Sequence, residues 1–253
     1  MAHARTPLWK RALIVLAIAI LALIAFGAWY VNDYYHADDT ALAVMADEQG
    51  AADGVTVREL SGKAVAFVPE SPRAGMIFYP GGKVQPEAYA PLLERCAEQG
   101  LLCVLVRPLF NLAVLDANCA DGVIEQFPDV DRWIIAGHSL GGVMASDYLS
   151  RHEGDFEGIA FLAAYPLADL SKWNGTAVSL VGDADKVLDH DKYEEANAKM
   201  PADSRETGIE GGNHAQFGNY GEQAGDGQAS ITRDQQQKGT AAALVQLATG
   251  VSE

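Results

Sequence analysis

The sequence predicts an α/β fold: one mostly parallel sheet with helices on both faces. Three observations carry this. From residue 74 onward, apolar runs of strand length alternate with stretches of helical periodicity, the pattern of right-handed βαβ crossovers. Residues 101–106 (LLCVLV) are apolar without alternation, as expected of a parallel strand buried on both faces. No segment repeats with a period of 20–50 residues, which excludes a solenoid.

The chain opens with a different kind of segment. Arg5, Lys10 and Arg11 precede an uncharged run from Ala12 to Val31, and Asp33, Asp38 and Asp39 follow it. Twenty residues at helical rise cover roughly 30 Å, the thickness of a bilayer's hydrocarbon. Trp9 at one end and Trp29 with Tyr30 at the other suit the two interfaces. The charge order places the N-terminus in the cytoplasm and the rest outside. The rival is a cleaved signal peptide with small residues near Ala25, Gly27 and Ala28. The run is longer than a usual signal core, and bulky Phe26 and Trp29 flank the cut, so an uncleaved signal anchor over residues 1–31 is favoured. Either way the following domain is exported.

Residues 32–53, polar and Ala/Asp-rich, are expected to be a linker, and 54–253 the folded domain. VTVREL (55–60) and KAVAFVP (63–69) straddle Ser61-Gly62, an opening hairpin. AGMIFYP (74–80) is the third strand. A helix over 86–99 stops at Gly100, and LLCVLV follows as a strand. A helix is expected over 117–126, a strand over 131–137 and a helix over 140–152. Strands over 158–164 and 177–182, a helix near 189–199 and a short strand near 205–210 come next. Thr232 and Gln235 have capping-box spacing ahead of the last helix.

Composition narrows the functional classes. The formal net charge is −16. The first thirty residues hold three basic and no acidic residues, so the remainder has 15 basic against 34 acidic, net −19. That disfavours nucleic acid and anionic headgroups as partners and leaves neutral or cationic substrates open. Three cysteines, Cys96, Cys103 and Cys119, permit one disulfide in an exported domain without naming the pair. No spacing of His and Cys suggests a metal site, and no cofactor is expected.

The chemistry centres on residues 134–142, IIAGHSLGG. Ser139 stands where a buried strand turns into a helix, at the carboxyl end of the sheet where catalysis gathers. A turn that presents the hydroxyl outward crowds backbone against backbone, which Gly137 and Gly141 relieve. A serine nucleophile needs a base, and the base needs an orienting acid. Of six histidines, His3 and His36 lie too early in the chain. His138 is expected to support the turn, and His152 and His190 to be solvated. His214 sits on a Gly-rich loop after the last sheet strand and is the expected base. Asp185, just past the 177–182 strand, is the expected acid, with Asp183 as runner-up. Leu140 N–H and either Gly82 or Lys83 N–H, from YPGGKV, would form an oxyanion hole.

On FYPGGKV (78–84), IIAGHSLGG (134–142), LVGDADKV (180–187) and EGGNHAQFGNYG (210–221), in that order, the chain resembles the alpha/beta-hydrolase superfamily. Within it, the chain is similar to a compact dienelactone-hydrolase-like and carboxylesterase-like group. The resemblance implies the alpha/beta-hydrolase fold, a Ser139–Asp185–His214 triad, an oxyanion hole at Leu140 and Gly82/Lys83, and hydrolysis without a cofactor. The G-x-x-D pattern from Gly182 implies Asp185 as the acid. Dienelactone hydrolases use a cysteine nucleophile where this chain has Ser139, so their substrate is not carried over. Only residues 153–176 separate the elbow helix from the acid strand, so no large lid is expected, and a small acyl ester is the expected substrate. A non-catalytic scaffold, or an acyltransferase or peptidase using the same triad, is the alternative; the oligomeric state is not legible.

Overall fold

The uncharged run after Arg11 forms helix α1, Leu8–Asn32, with a mean hydropathy of 2.8 over its most apolar window. It is long and apolar enough to cross a membrane, and none of its residues is buried. The structure is a computed structural model that describes residues 7–46, 54–60 and 63–250. The chain divides after Tyr34 into two units, of which α1 is the first.

The second unit is built on eight strands: β1 Val55–Leu60, β2 Ala64–Pro69, β3 Ala74–Tyr79, β4 Leu101–Val106, β5 Trp133–His138, β6 Gly158–Leu162, β7 Thr176–Gly182 and β8 Asp203–Ile209. They form one sheet in the order β1-β2-β4-β3-β5-β6-β7-β8. β1 pairs antiparallel with β2, and β2 with β4; every later pairing is parallel. The Ser61-Gly62 turn expected between β1 and β2 lies outside the described residues. Every residue of β3, β4 and β5 is buried, whereas edge strand β8 exposes nearly all of DSRETGI. Charges on an exposed edge discourage pairing with another chain.

Alternate residues of the central strands feed two cores. Met76, Phe78, Ile134 and Ala136 pack on one face with helices α2 (Asp39–Ala46), α3 (Ala90–Ala97) and α6 (Arg233–Thr249). Ile77, Tyr79, Trp133 and Ile135 pack on the other with helix α4 (Leu140–Arg151). A short helix α5, His190–Ala196, follows β7. The Thr232–Gln235 capping box forms as the spacing predicts, with Thr232 Oγ1 accepting from Gln235 N–H at 3.2 Å. Gly100 follows α3 in the left-handed region, φ 85°, as its role of helix stop requires.

Two expectations are corrected. Residues 117–126 are turns with a single helical turn at Ile124–Gln126, because Gly122 takes φ 75° and breaks any regular helix there. The stretch expected as a linker contains α2 in its described part. Ala37 and Ala41 are buried in the core with Tyr89 and Leu92, and Asp38 Oδ1 caps the helix by accepting from Ala41 N–H at 3.0 Å. Small side chains let this short helix pack closely on α3 and the Pro86–Tyr89 turn, a packing reason that polar composition conceals. Ala41→Glu is therefore expected to destabilise the domain by about 2 kcal/mol or more in thermal melts. Leu42→Glu, on the same helix but 43% exposed, is expected to change stability by less than about 0.5 kcal/mol; equal effects would mean that the segment is a linker after all.

Candidate active site

The turn from β5 into α4 is sharp. Ser139 holds φ 52° and ψ −127°, a conformation costing an L residue roughly 1–3 kcal/mol. Neighbouring bonds over-determine it: Ser139 N–H donates to Leu162 O on β6 at 2.9 Å, and Ser139 O accepts from Gly142 N–H at 3.0 Å. A Cβ on Gly137 would lie 2.5 Å from Gly142 N, and one on Gly141 would overlap the carbonyl oxygens of Tyr79 and Pro80. The glycines expected to relieve crowding sit at these contacts.

Asp185 and His214 come from loops after β7 and β8. Gly182 brings those loops into backbone contact, since its Cβ would fall 2.8 Å from Asn213 N, and Ala184 N–H donates to Gly212 O at 2.9 Å. His214 Nδ1 meets Asp185 Oδ2 at 2.8 Å, and both residues are buried. Asp185 Oδ1 accepts from Val187 N–H at 2.8 Å and Leu188 N–H at 2.9 Å. Burial disfavours the Asp185 charge, but the His214 hydrogen bond and charge, with the Leu188 and Val187 N–H groups, outweigh it and hold the carboxyl below its usual range. Nδ1–H then donates to the carboxylate, and the buried Nε2 is left as a base with no hydrogen bond among the described residues.

Ser139 and His214 line the same cavity, of about 230 Å³, together with Leu140, Val143, Val187 and Leu188. Larger hollows, such as one of about 700 Å³ beside Arg73 and Gln246, hold none of these residues. Residues 163–175 join β6 to β7 without a helix, so no large lid covers the cavity from that side.

The oxyanion-loop alternatives separate. Lys83 N–H donates to Asn111 O at 2.8 Å and is spent, whereas Gly82 N–H donates to no group among the described residues. A Cβ on Gly82 would come within 2.7 Å of Leu140 Cδ2, so Gly82 and Leu140 are neighbours. Leu140 opens α4, where first-turn N–H groups lack partners within the helix and the dipole is positive. Asp183, the runner-up acid, accepts from Gly211 N–H at 2.8 Å. Exposed His190 contacts the acid loop through Nε2 and Asp185 O at 3.1 Å, and His152 stacks on Tyr148. Cys96, Cys103 and Cys119 are buried free thiols, and burial pushes Cys119 up to about 12.

Several supporting residues escape sequence reading. Asp226 Oδ2 accepts from Ala215 N–H at 2.9 Å, and its Oδ1 from His214 N–H at 3.3 Å. Buried Gln236 of α6 grips Asn213 twice, accepting from its N–H at 3.0 Å and donating to its carbonyl at 2.8 Å. Both signals are side chains bonding to backbone far away in sequence, without local pattern.

His138 does support the turn. Tyr89 Oη accepts from Gly81 N–H at 3.0 Å and so directs its own proton to His138 Nδ1, 2.7 Å away. This assigns the neutral tautomer, with the His138 ring centroid 4.5 Å from that of His214. Burial, then the neighbouring His214 charge, push the His138 pKa well below its ordinary value. The unfolded chain binds a proton here below about 6.5 that the folded one refuses, so this contribution to stability is full above that pH and declines as pH falls through and below it. His138→Gln is expected to flatten the dependence of melting temperature on pH between about 6.5 and 5. An unchanged slope would show that His138 titrates alike in both states.

With this geometry in view, comparison with known proteins is informative. The profile of the alpha/beta hydrolase family matches residues 75–238, more than half of the chain. A search of curated proteins finds no match. Among solved structures, a predicted CIB-like hydrolase from Thermoplasma acidophilum is similar at 17% identity and TM-score 0.55, over 77% of this chain and 100% of that one. Est1E from Butyrivibrio proteoclasticus is similar at 12% identity and TM-score 0.54, over 77% and 99%. TT1662 from Thermus thermophilus is similar at 17% identity and TM-score 0.53, over 64% and 92%. At such identities the structural likeness is one of fold, and it is the matched profile that settles the kinship: this chain belongs to the alpha/beta hydrolase family.

Proposed function

We propose that this chain is a membrane-anchored, exported serine hydrolase that cleaves carboxylic ester or related acyl bonds. The observation that carries the reading is the buried Asp185–His214 hydrogen bond of 2.8 Å, with His214 lining one cavity with Ser139 at its strained turn. Ser139 Oγ attacks the acyl carbonyl while His214 Nε2 takes its proton. Asp185 keeps Nδ1–H oriented and stabilises the imidazolium. The oxygen that gains charge is met by the N–H groups of Leu140 and Gly82. His214 then protonates the departing alcohol, and a water, deprotonated by the same imidazole, releases the acid from Ser139. A cavity of about 230 Å³ is smaller than most drug-sized sites, roughly 300–1,000 Å³, which favours short acyl groups.

Helix α1 supplies the anchor. Lys10 and Arg11 before its apolar stretch, and Asp33 after it, favour an N-terminus in the cytoplasm and a hydrolase domain outside. The small-residue cluster at Ala25, Gly27 and Ala28 would release the same domain if it were cut.

Hydrolysis of p-nitrophenyl esters from acetate to decanoate by the full chain is expected to favour the shorter acyl groups. Ser139→Ala is expected to lower kcat by roughly 10³–10⁶-fold, and Asp185→Asn by roughly 10²–10⁴-fold. Activity that survives Ser139→Ala overturns the proposed mechanism. For the topology, protease added outside intact cells is expected to digest the domain while the protein stays in the membrane fraction after alkaline carbonate. Protection of the domain in intact cells would contradict export.

A further inference from the structure

The residues that follow α1 are hydrogen-bonded into the loop that carries Gly82. Only Asp33 and Tyr34 separate α1 from Tyr35, which forms a parallel bridge with Val84. Tyr35 N–H donates to Lys83 O at 2.8 Å, and Tyr35 O accepts from Gln85 N–H at 2.9 Å. Gln85 Oε1 reaches back to accept from Ala37 N–H at 3.0 Å. The same segment holds the other loop of the site. Asp38 N–H donates to Asn219 O at 2.8 Å, Ala224 N–H donates to Tyr35 Oη at 3.1 Å, and the Tyr35 and Tyr220 rings lie 5.6 Å apart.

We propose that Tyr35 is a positioning residue for the oxyanion hole, acting through two planar peptide units. The first unit comprises Lys83 C=O, which accepts from Tyr35, and Val84 N–H, which donates to Gly81 O at 3.2 Å. The second comprises that Gly81 C=O and the Gly82 N–H on its opposite side. Each peptide is rigid, with C=O and N–H pointing in opposite directions. Turning the first unit therefore turns the second, and Gly82 N–H with it. Asn111 O and Tyr89 Oη hold the loop through the Lys83 and Gly81 N–H groups, but the two peptide units of the relay lie between and beyond those anchors. Lys83 sits at φ 58°, where an L residue is strained, and the Val84–Gly81 bond, at 3.2 Å, is at the long end of the normal range. Hydrogen bonds in series also polarise one another, so the Tyr35 donor strengthens the Gly82 donor as well as aiming it. The stretch that sequence composition marks as a linker thus takes part in the chemistry. A chain cut near Ala28 would still contain every residue of this device.

The inference rests on the proposed serine mechanism, and the test separates the two. In the full-length protein, Tyr35→Pro removes the N–H donor and the ring, whereas Tyr35→Ala removes the ring and keeps the donor. Tyr35→Pro is expected to show at least a tenfold lower kcat than Tyr35→Ala, with KM within twofold, because an oxyanion donor acts in the transition state and not in the ground state. Its affinity for a trifluoromethyl ketone, which forms a tetrahedral oxyanion on the serine, is expected to fall by the same factor. Equal kcat and equal inhibitor affinity in the two variants, with activity still abolished by Ser139→Ala, overturn the Tyr35 relay alone. Activity that persists in Ser139→Ala overturns the serine mechanism itself. If Tyr35→Pro does not fold, an amide-to-ester replacement at the Tyr35 nitrogen, made by semisynthesis in the full-length protein, decides by deleting only the N–H donor. A severalfold drop in kcat at constant KM supports the relay, and a lower melting temperature with unchanged kcat overturns it.

Discussion

Backbone meets backbone where β5 turns into α4, and the contact exists only because Gly137 and Gly141 lack Cβ atoms. That approach seats the first turn of α4 against the ends of β3 and β5. It forces Ser139 into φ 52° and leaves the helix's unpaired N–H groups beside the hydroxyl. The strain is held by the surroundings: Ser139 N–H is fixed to β6, and α4 is buried along Met144, Ala145 and Leu149. Parallel β3, β5 and β6 are covered on both faces, so the framework beneath the serine has no soft side.

The other groups are brought to this fixed point by loops, which need their own restraints. The His214 loop is gripped by Gln236 from α6 and by Asp226 from its own far end. The acid loop is tied to it at Gly182 and Gly212. His138 and Tyr89 add a cross-link from the elbow to Gly81, so the Ser139 turn and the Gly81–Val84 loop share one buried hydrogen-bonded set. Because Asp185 is buried as an ion with three hydrogen bonds, its charge is a fixed source of potential on the imidazole and not a mobile surface group.

How much of this was legible in the sequence follows from the range of each interaction. β3, β4 and β5 read as strands because full burial demands unbroken apolar runs, and the Thr232 cap is visible because both partners lie within four residues. Ser139 was legible through Gly137 and Gly141, whose spacing is a local consequence of the turn. Asp185 is preferred to Asp183 on its place past the strand, and the family pattern only adds to that preference; what separates them is which side chain meets His214. The helix expected over 117–126 failed on one glycine, and α2 was hidden because buried alanines look like composition, not periodicity. Asp226, Gln236 and Tyr89 could not be read at all, since each bonds to backbone or ring atoms whose nearness only the folded chain creates. The choice between Gly82 and Lys83 turned on Asn111, almost thirty residues away and also without a local signal.

The most direct measurement of Ser139 as an activated nucleophile is covalent capture. Purified full-length protein treated with a fluorophosphonate should gain the mass of one phosphonyl group, and peptide mapping should place it on Ser139. Labelling should disappear in Ser139→Ala and slow by orders of magnitude in His214→Ala. A folded, active protein that takes up no label, or whose label stays in place when Ser139 is replaced, would contradict a serine hydrolase built on this elbow.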